Sequence, residues 1–291
     1  MGQDIFATDD TARQVFHDAD QVLGYSLSDM CFNGPEGDLT KTIHTQPAIV
    51  TTSLAYYQAT ANTLRERPDW QPAFTAGHSL GEYTALAVAG ALDFQEAIWL
   101  VGERGRLMQE AGEKSGGGMG AVLGLDTISV EEVCQETGME IANINSDDQI
   151  VISGPKDAMA RALDMAKARG ARKVIPLRVG GAFHSSLMES AVEGMQHAMK
   201  EVTLRQPTIP VIGNCTGKPL TEVEDIEAEL LQQLCESVQW SQSVRYMAGQ
   251  GVQTFLEIGP GRVLSGLVRR IESEAQTVNV GEAKALENLA S

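Results

Sequence analysis

Basic residues are scarce in this chain: 22 lysines and arginines stand against 39 aspartates and glutamates, a formal charge of -17 over 291 residues. A surface of that sign repels phosphate backbones and anionic bilayers, which argues against general nucleic-acid or membrane-surface binding but leaves room for a local basic pocket. Long apolar runs are missing as well; none approaches the roughly 20 residues that span a bilayer. The opening MGQDIFATDDTARQ carries acids where a secretory leader needs a basic and then an apolar segment. Phe6 stands where a myristoylation start of the Met1-Gly2 type needs Ser or Thr. The expectation is a cytoplasmic, unanchored chain. Cysteine is sparse and dispersed: Cys31, Cys134, Cys215 and Cys235 form no C-x-x-C pair. That pattern fits buried, reduced thiols better than a disulfide framework. The five histidines are scattered too, so the sequence offers no clustered zinc ligands and no metal site is expected. Internal repeats and low-complexity tracts are also lacking.

What is present reads as an ordinary globular chain, 43 % hydrophobic and 21 % charged, long enough for one large domain or two smaller ones. The first hundred residues are mainly helical in pattern. Residues 10 to 23 place Ala12, Val15, Phe16, Ala19, Val22 and Leu23 at helical spacing, and after TQPA the stretch 47 to 65 repeats it through Val50, Leu54, Tyr57 and Leu64. PAFTAG is a short extended segment, followed by an alanine-rich helix from Glu82 to Ala89 that stops at Gly90. From 116 the texture changes. GGGMGAVLGL, MEIANIN, DQIVISG and RKVIPLRV read as strands, with SVEEVCQETG and KDAMARALDMAKARG as helices. The order β-α-β-β-α-β is the ferredoxin-like split pattern, so 116–181 is expected to be an inserted subdomain. Beyond it come strands at TIPVIGN and VQTFLEIG and helices at 186–200, 223–235 and 262–273. Alternating strands and helices imply an α/β fold with a parallel sheet for the larger part, residues 1–115 and 182–291.

Chemistry concentrates in FTAGHSLGEYTALAVAG, where Gly77-His78-Ser79-Leu80-Gly81 fits the G-x-S-x-G elbow. Such a turn forces the serine into an unfavourable backbone conformation that projects its Oγ, and the following helix aims N–H groups and its positive end at a developing oxyanion. Leu80 N–H is the natural donor. The same text also fits a plain strand-to-helix turn with Ser79 as N-cap. A serine hydroxyl needs a base. His17 and His197 lie in amphipathic helical text, His44 in a polar turn, and His78 adjoins the serine on a turn whose consecutive residues point apart. His184, in GGAFHSSLM past a strand and before a helix, suits presentation into a cleft. No acid between Ser79 and His184 completes a triad persuasively, so a Ser-His dyad with the imidazole oriented by a backbone carbonyl is the economical reading. KSGGGMGA matches G-x-G-x-x-A but precedes a strand, which argues against dinucleotide binding; GPG at 259–261 reads as a turn.

GHSLGEYTALAVAG, ERGRLMQEA, GAFHSSLM, VQWSQSVRYM and EIGPGRVLSGL occur in an order and spacing that resembles the malonyl-CoA:acyl-carrier-protein transacylases, which charge carrier protein for fatty-acid and polyketide synthesis. The similarity covers essentially the whole chain. It implies an α/β-hydrolase-like large domain with an inserted ferredoxin-like subdomain. It implies further that Ser79 is the acylated nucleophile, His184 the general base, Leu80 an oxyanion donor, Arg104 the malonyl-carboxylate ligand and Gln233 the residue whose main-chain carbonyl orients the histidine. A guanidinium grips a carboxylate with two parallel hydrogen bonds, which lysine cannot do; Arg106, a turn-mate, reads as a solvated helix arginine. GAFH also resembles the AFH that accompanies malonyl selectivity in related acyltransferase domains. Family members begin with a strand and a GQGSQ loop whose glutamine supplies a second oxyanion N–H. Met1-Gly2-Gln3 aligns just after that loop, so Gln3 is not that glutamine and the true start is expected upstream. The implied substrates are malonyl-CoA and phosphopantetheinylated acyl carrier protein, with no cofactor, and the chain is expected to act as a monomer. Lys173, Arg172, Arg269 and Arg270 are candidate docking residues for the acidic carrier protein. A carrier-protein acyl hydrolase and a non-catalytic carrier-protein-binding subunit are the rival readings.

Overall fold

The apolar spacing of the first hundred residues folds into helices. The computed structural model describes residues 1–65 and 71–290. Asp10–Leu23 buries Ala12, Val15, Phe16 and Ala19; its N-cap Asp9 accepts the Ala12 N–H, and Gly24 closes it at φ 74. The next long helix is Thr42–Leu64, and it starts before Pro47 rather than at it. Pro47 is the sixth residue of this helix, past the first turn where proline is favoured, so it removes one bond from the ladder, and the burial of its neighbours carries the helix across it. His44 therefore lies in the first turn of a helix, not in a polar loop, edge-on to the Tyr25 ring at 5.5 Å. This helix packs against Phe94–Ser115. A Cβ at Gly105 would come 2.9 Å from the Thr42 carbonyl oxygen, so the missing side chain is what lets the two helices cross closely. Phe16, Leu54, Leu86 and Leu100 are fully buried in the surrounding core, each contributing about 1.5–3 kcal/mol.

Among the described residues nine strands follow in chain order: β1 Thr75–Ala76, β2 Gly117–Leu123, β3 Glu140–Ser146, β4 Gln149–Pro155, β5 Lys173–Pro176, β6 Val211–Ile212, β7 Pro219–Leu220, β8 Thr254–Ile258 and β9 Gln276–Val280. Strands β2 to β5 make one antiparallel sheet in the order β3-β4-β2-β5, with the first strand of the unit at its centre. Helices Thr127–Thr137 and Lys156–Ala168 bury Val130, Val133 and Leu163 with Val122, Ile150 and Ile152 of the sheet, a core separate from the large one. The match to G-x-G-x-x-A falls on β2, a strand paired on both sides.

In the larger part the expected parallel pairing occurs in two places, with one antiparallel return. Strands β1 and β6 are parallel, β7 returns antiparallel to β6, and β8 with β9 form a separate parallel pair. Strand β6 is short for a local reason: Pro210 before it lacks the N–H that a ladder needs, and Gly213 after it opens a hairpin closed by Gly213 N–H to the Lys218 carbonyl at 2.9 Å. The parallel pair still matters, because it brings the carboxyl ends of β1 and β6 side by side. The two parts are joined at the edge of β3, where Val238 N–H donates to Ala142 O and Ile144 N–H to Val238 O, both at 2.9 Å. All four cysteines are free; Cys31 and Cys134 are buried, whereas Cys215 and Cys235 are only half-buried. Among the described residues no helix is long and apolar enough to cross a membrane.

Candidate active site

Strand β1 ends at Ala76, and the chain turns through four residues into the helix Gly81–Val88. Ser79 sits in the turn at φ 50, a left-handed conformation costly for any residue but glycine. The turn is held by Asn214, which follows β6. Its Oδ1 accepts the Ser79 N–H at 2.6 Å, its Nδ2 donates to Gly77 O at 2.8 Å, and its own N–H donates to Glu82 Oε1 at 3.0 Å. Gly77 packs backbone against backbone: a Cβ there would lie 1.9 Å from the Gly81 carbonyl carbon. The N-cap alternative for Ser79 fails, because Leu80 occupies that position. Ser79 Oγ instead donates to His184 Nε2 at 2.7 Å. Among the described residues no acceptor meets the Leu80 N–H at the helix start.

His184 is also in the left-handed region, at φ 58, and is 4 % exposed. Its Nδ1–H donates to the main-chain carbonyl of Gln233 at 2.7 Å. That bond leaves Nε2 as the acceptor facing the serine. Gln233 is the C-cap of the helix Val223–Gln232, a place where carbonyls lack helical donors and are free to accept. Burial, reinforced by the Arg104 charge, pushes the His184 pKa down to about 3, so the imidazole is neutral. His78 turns the other way, its Nε2 against Asn145 Oδ1 of β3 at 2.7 Å. His17 and His197 are exposed.

Arg104 lies in the buried stripe of Phe94–Ser115, between Val101 and Met108, and is 1 % exposed. Nη1 donates to Gln46 Oε1 at 2.7 Å; Nη2 donates to Gln233 Oε1 at 2.7 Å and to Ser79 Oγ at 3.2 Å. The guanidinium lies 5.5 Å from the Tyr83 ring centroid, and its Nε has no partner among the described residues. No carboxylate pairs with it among the described residues. A buried cation met only by neutral groups is a costly arrangement. Arg106 behaves in the opposite way, paired with Glu103 at 2.6 Å and Glu110 at 2.8 Å on the outer face. A cleft of about 260 Å³ is lined by Ser79, His184, Arg104 and Gln46, with Met119 and Asn143 from β2 and β3 closing one side.

The structure therefore brings Ser79, Leu80, His184, Arg104 and Gln233 to one place. The sequence reading missed Gln46, Asn214 and Glu82. Gln46 carried a signal, a polar residue on the apolar stripe one turn before Val50; Asn214 carried a weaker one, a polar residue at the end of a strand. Of the docking candidates, Arg172 and Arg270 converge on Asp148 at 3.3 and 3.9 Å, Arg269 donates to Thr277 Oγ1 at 3.0 Å, and Lys173 is exposed.

A serine on a strained turn of an α/β fold, hydrogen-bonded to a neutral imidazole, is an arrangement suited to acyl transfer. The acyl transferase domain family matches residues 1–284. Two curated relatives named malonyl CoA-acyl carrier protein transacylase match nearly the whole chain. The Bacillus subtilis protein is 38 % identical over 99 % of this chain and 90 % of its own length, and the Escherichia coli K12 protein 39 % identical over 98 % and 93 %. Among solved structures, a malonyl-transacylase in complex with a holo acyl-carrier protein of a type II PKS superposes with TM-score 0.93 at 38 % identity, covering 99 % of this chain and 93 % of that one. The Coxiella burnetii malonyl CoA-acyl carrier protein transacylase gives 0.94 at 34 % identity, over 100 % and 92 %. The chain belongs to the acyl transferase family, within its malonyl-CoA:acyl-carrier-protein transacylase branch.

Proposed function

We propose that the chain transfers a malonyl group from malonyl-CoA to the phosphopantetheine thiol of acyl carrier protein through an ester on Ser79. The observation that carries this reading is the buried Arg104 guanidinium, unpaired by any carboxylate among the described residues and 3.2 Å from Ser79 Oγ. An acyl chain ending in a carboxylate and esterified to that oxygen supplies the missing anion.

In the first half-reaction His184 Nε2 takes the Ser79 proton as Oγ attacks the thioester carbonyl. The Leu80 N–H and the start of Gly81–Val88 stabilise the tetrahedral oxyanion. The C–S bond breaks, the imidazolium returns its proton to the departing sulfur, and coenzyme A leaves. In the second half His184 takes the proton of the carrier-protein thiol, the sulfur attacks the ester, and Ser79 leaves as the hydroxyl. Gln233 O holds the Nδ1–H throughout and favours the imidazolium when it forms. The relatives' printed names and the solved complex with a carrier protein support carrier protein as acceptor. Lys173, Arg172, Arg269 and Arg270, with Asp148 shared between two of them, are the cations proposed to meet an acidic partner on an otherwise acidic protein.

Incubation with malonyl-CoA and holo carrier protein tests the reading. Malonyl-carrier protein is expected to form faster than free malonate. Faster malonate release identifies a hydrolase, and no turnover of either kind by folded protein identifies a binding subunit.

A further inference from the structure

Glu82 is fully buried in the first turn of Gly81–Val88 and takes no part in the steps above. Its two oxygens have different partners. Oε1 accepts the Asn214 N–H at 3.0 Å, and Oε2 accepts from Gln233 Nε2. The same Nε2 donates to Ser79 O at 3.1 Å. Both amide protons of Gln233 are thus engaged on one side, and its Oε1 is turned toward Arg104 Nη2 at 2.7 Å. A primary amide can sit either way round in a site of this shape, and its neighbours decide. Turned over, its NH2 would face the guanidinium and its oxygen would face the carboxylate, which are two repulsions at once.

We propose that Glu82 is a positioning residue for substrate selection: it fixes the Gln233 amide, which in turn presents the Arg104 guanidinium to the carboxylate of the acyl group. The amide has a second consequence. It stands between the buried Glu82 carboxyl group and the buried guanidinium, so Glu82 holds the amide without pairing with Arg104. A direct Glu-Arg pair would occupy the donors that the substrate needs. Burial and the neighbouring Glu229 carboxylate raise the Glu82 pKa, while the donors from Gln233 and Asn214 oppose that rise. Glu229 itself is held by the Cys215 N–H at 2.7 Å.

The inference rests on Arg104 gripping the malonyl carboxylate, so its test includes Arg104→Ala. The readout is kcat/KM for malonyl-CoA and for acetyl-CoA, which carries no terminal carboxylate. Glu82→Gln keeps one oxygen that accepts and replaces the other by an NH2 that cannot, and it is expected to lower the malonyl-to-acetyl ratio by about 10- to 100-fold. Gln233→Met keeps the main-chain carbonyl on His184 and is expected to lower the ratio similarly. The double variant is expected to fall no further than either single one, because both act through one chain of bonds. Equal losses for the two substrates in Glu82→Gln, with Arg104→Ala still lowering the ratio, overturn the role of Glu82 and leave that of Arg104 standing. An unchanged ratio in Arg104→Ala overturns both. If Glu82→Gln does not fold, Gln233→Met decides, and a retained ratio there overturns the proposal.

Discussion

Replacing Arg104 by methionine removes the charge while nearly preserving the volume of the buried stripe. In the resting enzyme two effects oppose each other. The change relieves a buried cation paired with no carboxylate, but it leaves Gln46 Oε1 and Gln233 Oε1 without their donors. Each lost partner costs about 1–3 kcal/mol, and the relief of an unpaired buried charge is of similar size, so the melting temperature is expected to move little. Catalysis is affected asymmetrically. A malonyl carboxylate entering the cleft loses its partner, which costs about 2–5 kcal/mol. That is roughly 30- to several-thousand-fold in kcat/KM. Acetyl-CoA, with no carboxylate to strand, is expected to lose far less. Steady-state kinetics with both thioesters measure the ratio directly, and thermal shifts with free malonate, present in the parent and absent in the variant, give a second reading without turnover. Parallel losses for malonyl and acetyl refute the reasoning, since they would mean that Arg104 serves only the shape of the site.

Three further outcomes follow from the same geometry. With the neutral form of His184 as the proposed base, its pKa near 3 is expected to place the acid limb of kcat/KM well below the ordinary histidine value of about 6.5; Arg104→Met removes one of the depressing charges and is expected to shift that limb upward. The linkage to stability has a definite sign: between pH 6.5 and 3 the unfolded histidine takes up a proton that the folded one refuses, so stability falls as pH drops through that window, by up to about 5 kcal/mol at 1.36 kcal/mol per unit. His184→Gln is expected to flatten that part of the denaturation profile, and an unchanged slope contradicts the assignment. The two glycines of the elbow are expected to differ sharply. Gly77→Ala drives a Cβ to within 1.9 Å of the Gly81 backbone, whereas a Cβ at Gly81 meets nothing within 4 Å. Gly77→Ala should abolish activity and lower the melting temperature, and Gly81→Ala should be tolerated or gain about 0.5–1 kcal/mol as a better helix residue. Equal sensitivity at both positions contradicts the packing described.

Much of this was legible before any coordinates, for identifiable reasons. The stripe Ala12, Val15, Phe16, Ala19 defines its helix by period alone, and the β-α-β-β-α-β order of 116–181 follows from alternating apolar segments and turn residues. Ser79, His184 and Arg104, singled out on the G-x-S-x-G elbow and on motifs that resemble a known family, do meet in one cleft. What period could not reveal was set by contacts between distant stretches. The extent of the larger sheet depends on strands of two residues, too short to carry an alternation. The start of Thr42–Leu64 was misplaced because Pro47 looks like a boundary, although its neighbours satisfy a helix across it. Asn214 acts on a turn 135 residues earlier, and Gln233 reaches Glu82 across 151 positions. Nothing local to either residue announces the partner. Arg104 and Arg106 look alike in the text and differ only by which face of one helix each occupies.

The central claim is that Ser79 carries the acyl group between donor and acceptor. Brief exposure to malonyl-CoA without carrier protein, followed by intact-mass and peptide analysis, tests it most directly. A single malonyl increment on the peptide bearing Ser79, discharged by holo carrier protein and missing from Ser79→Ala, is the expected result. Transfer to carrier protein that survives Ser79→Ala, or an adduct on any other residue, would contradict it.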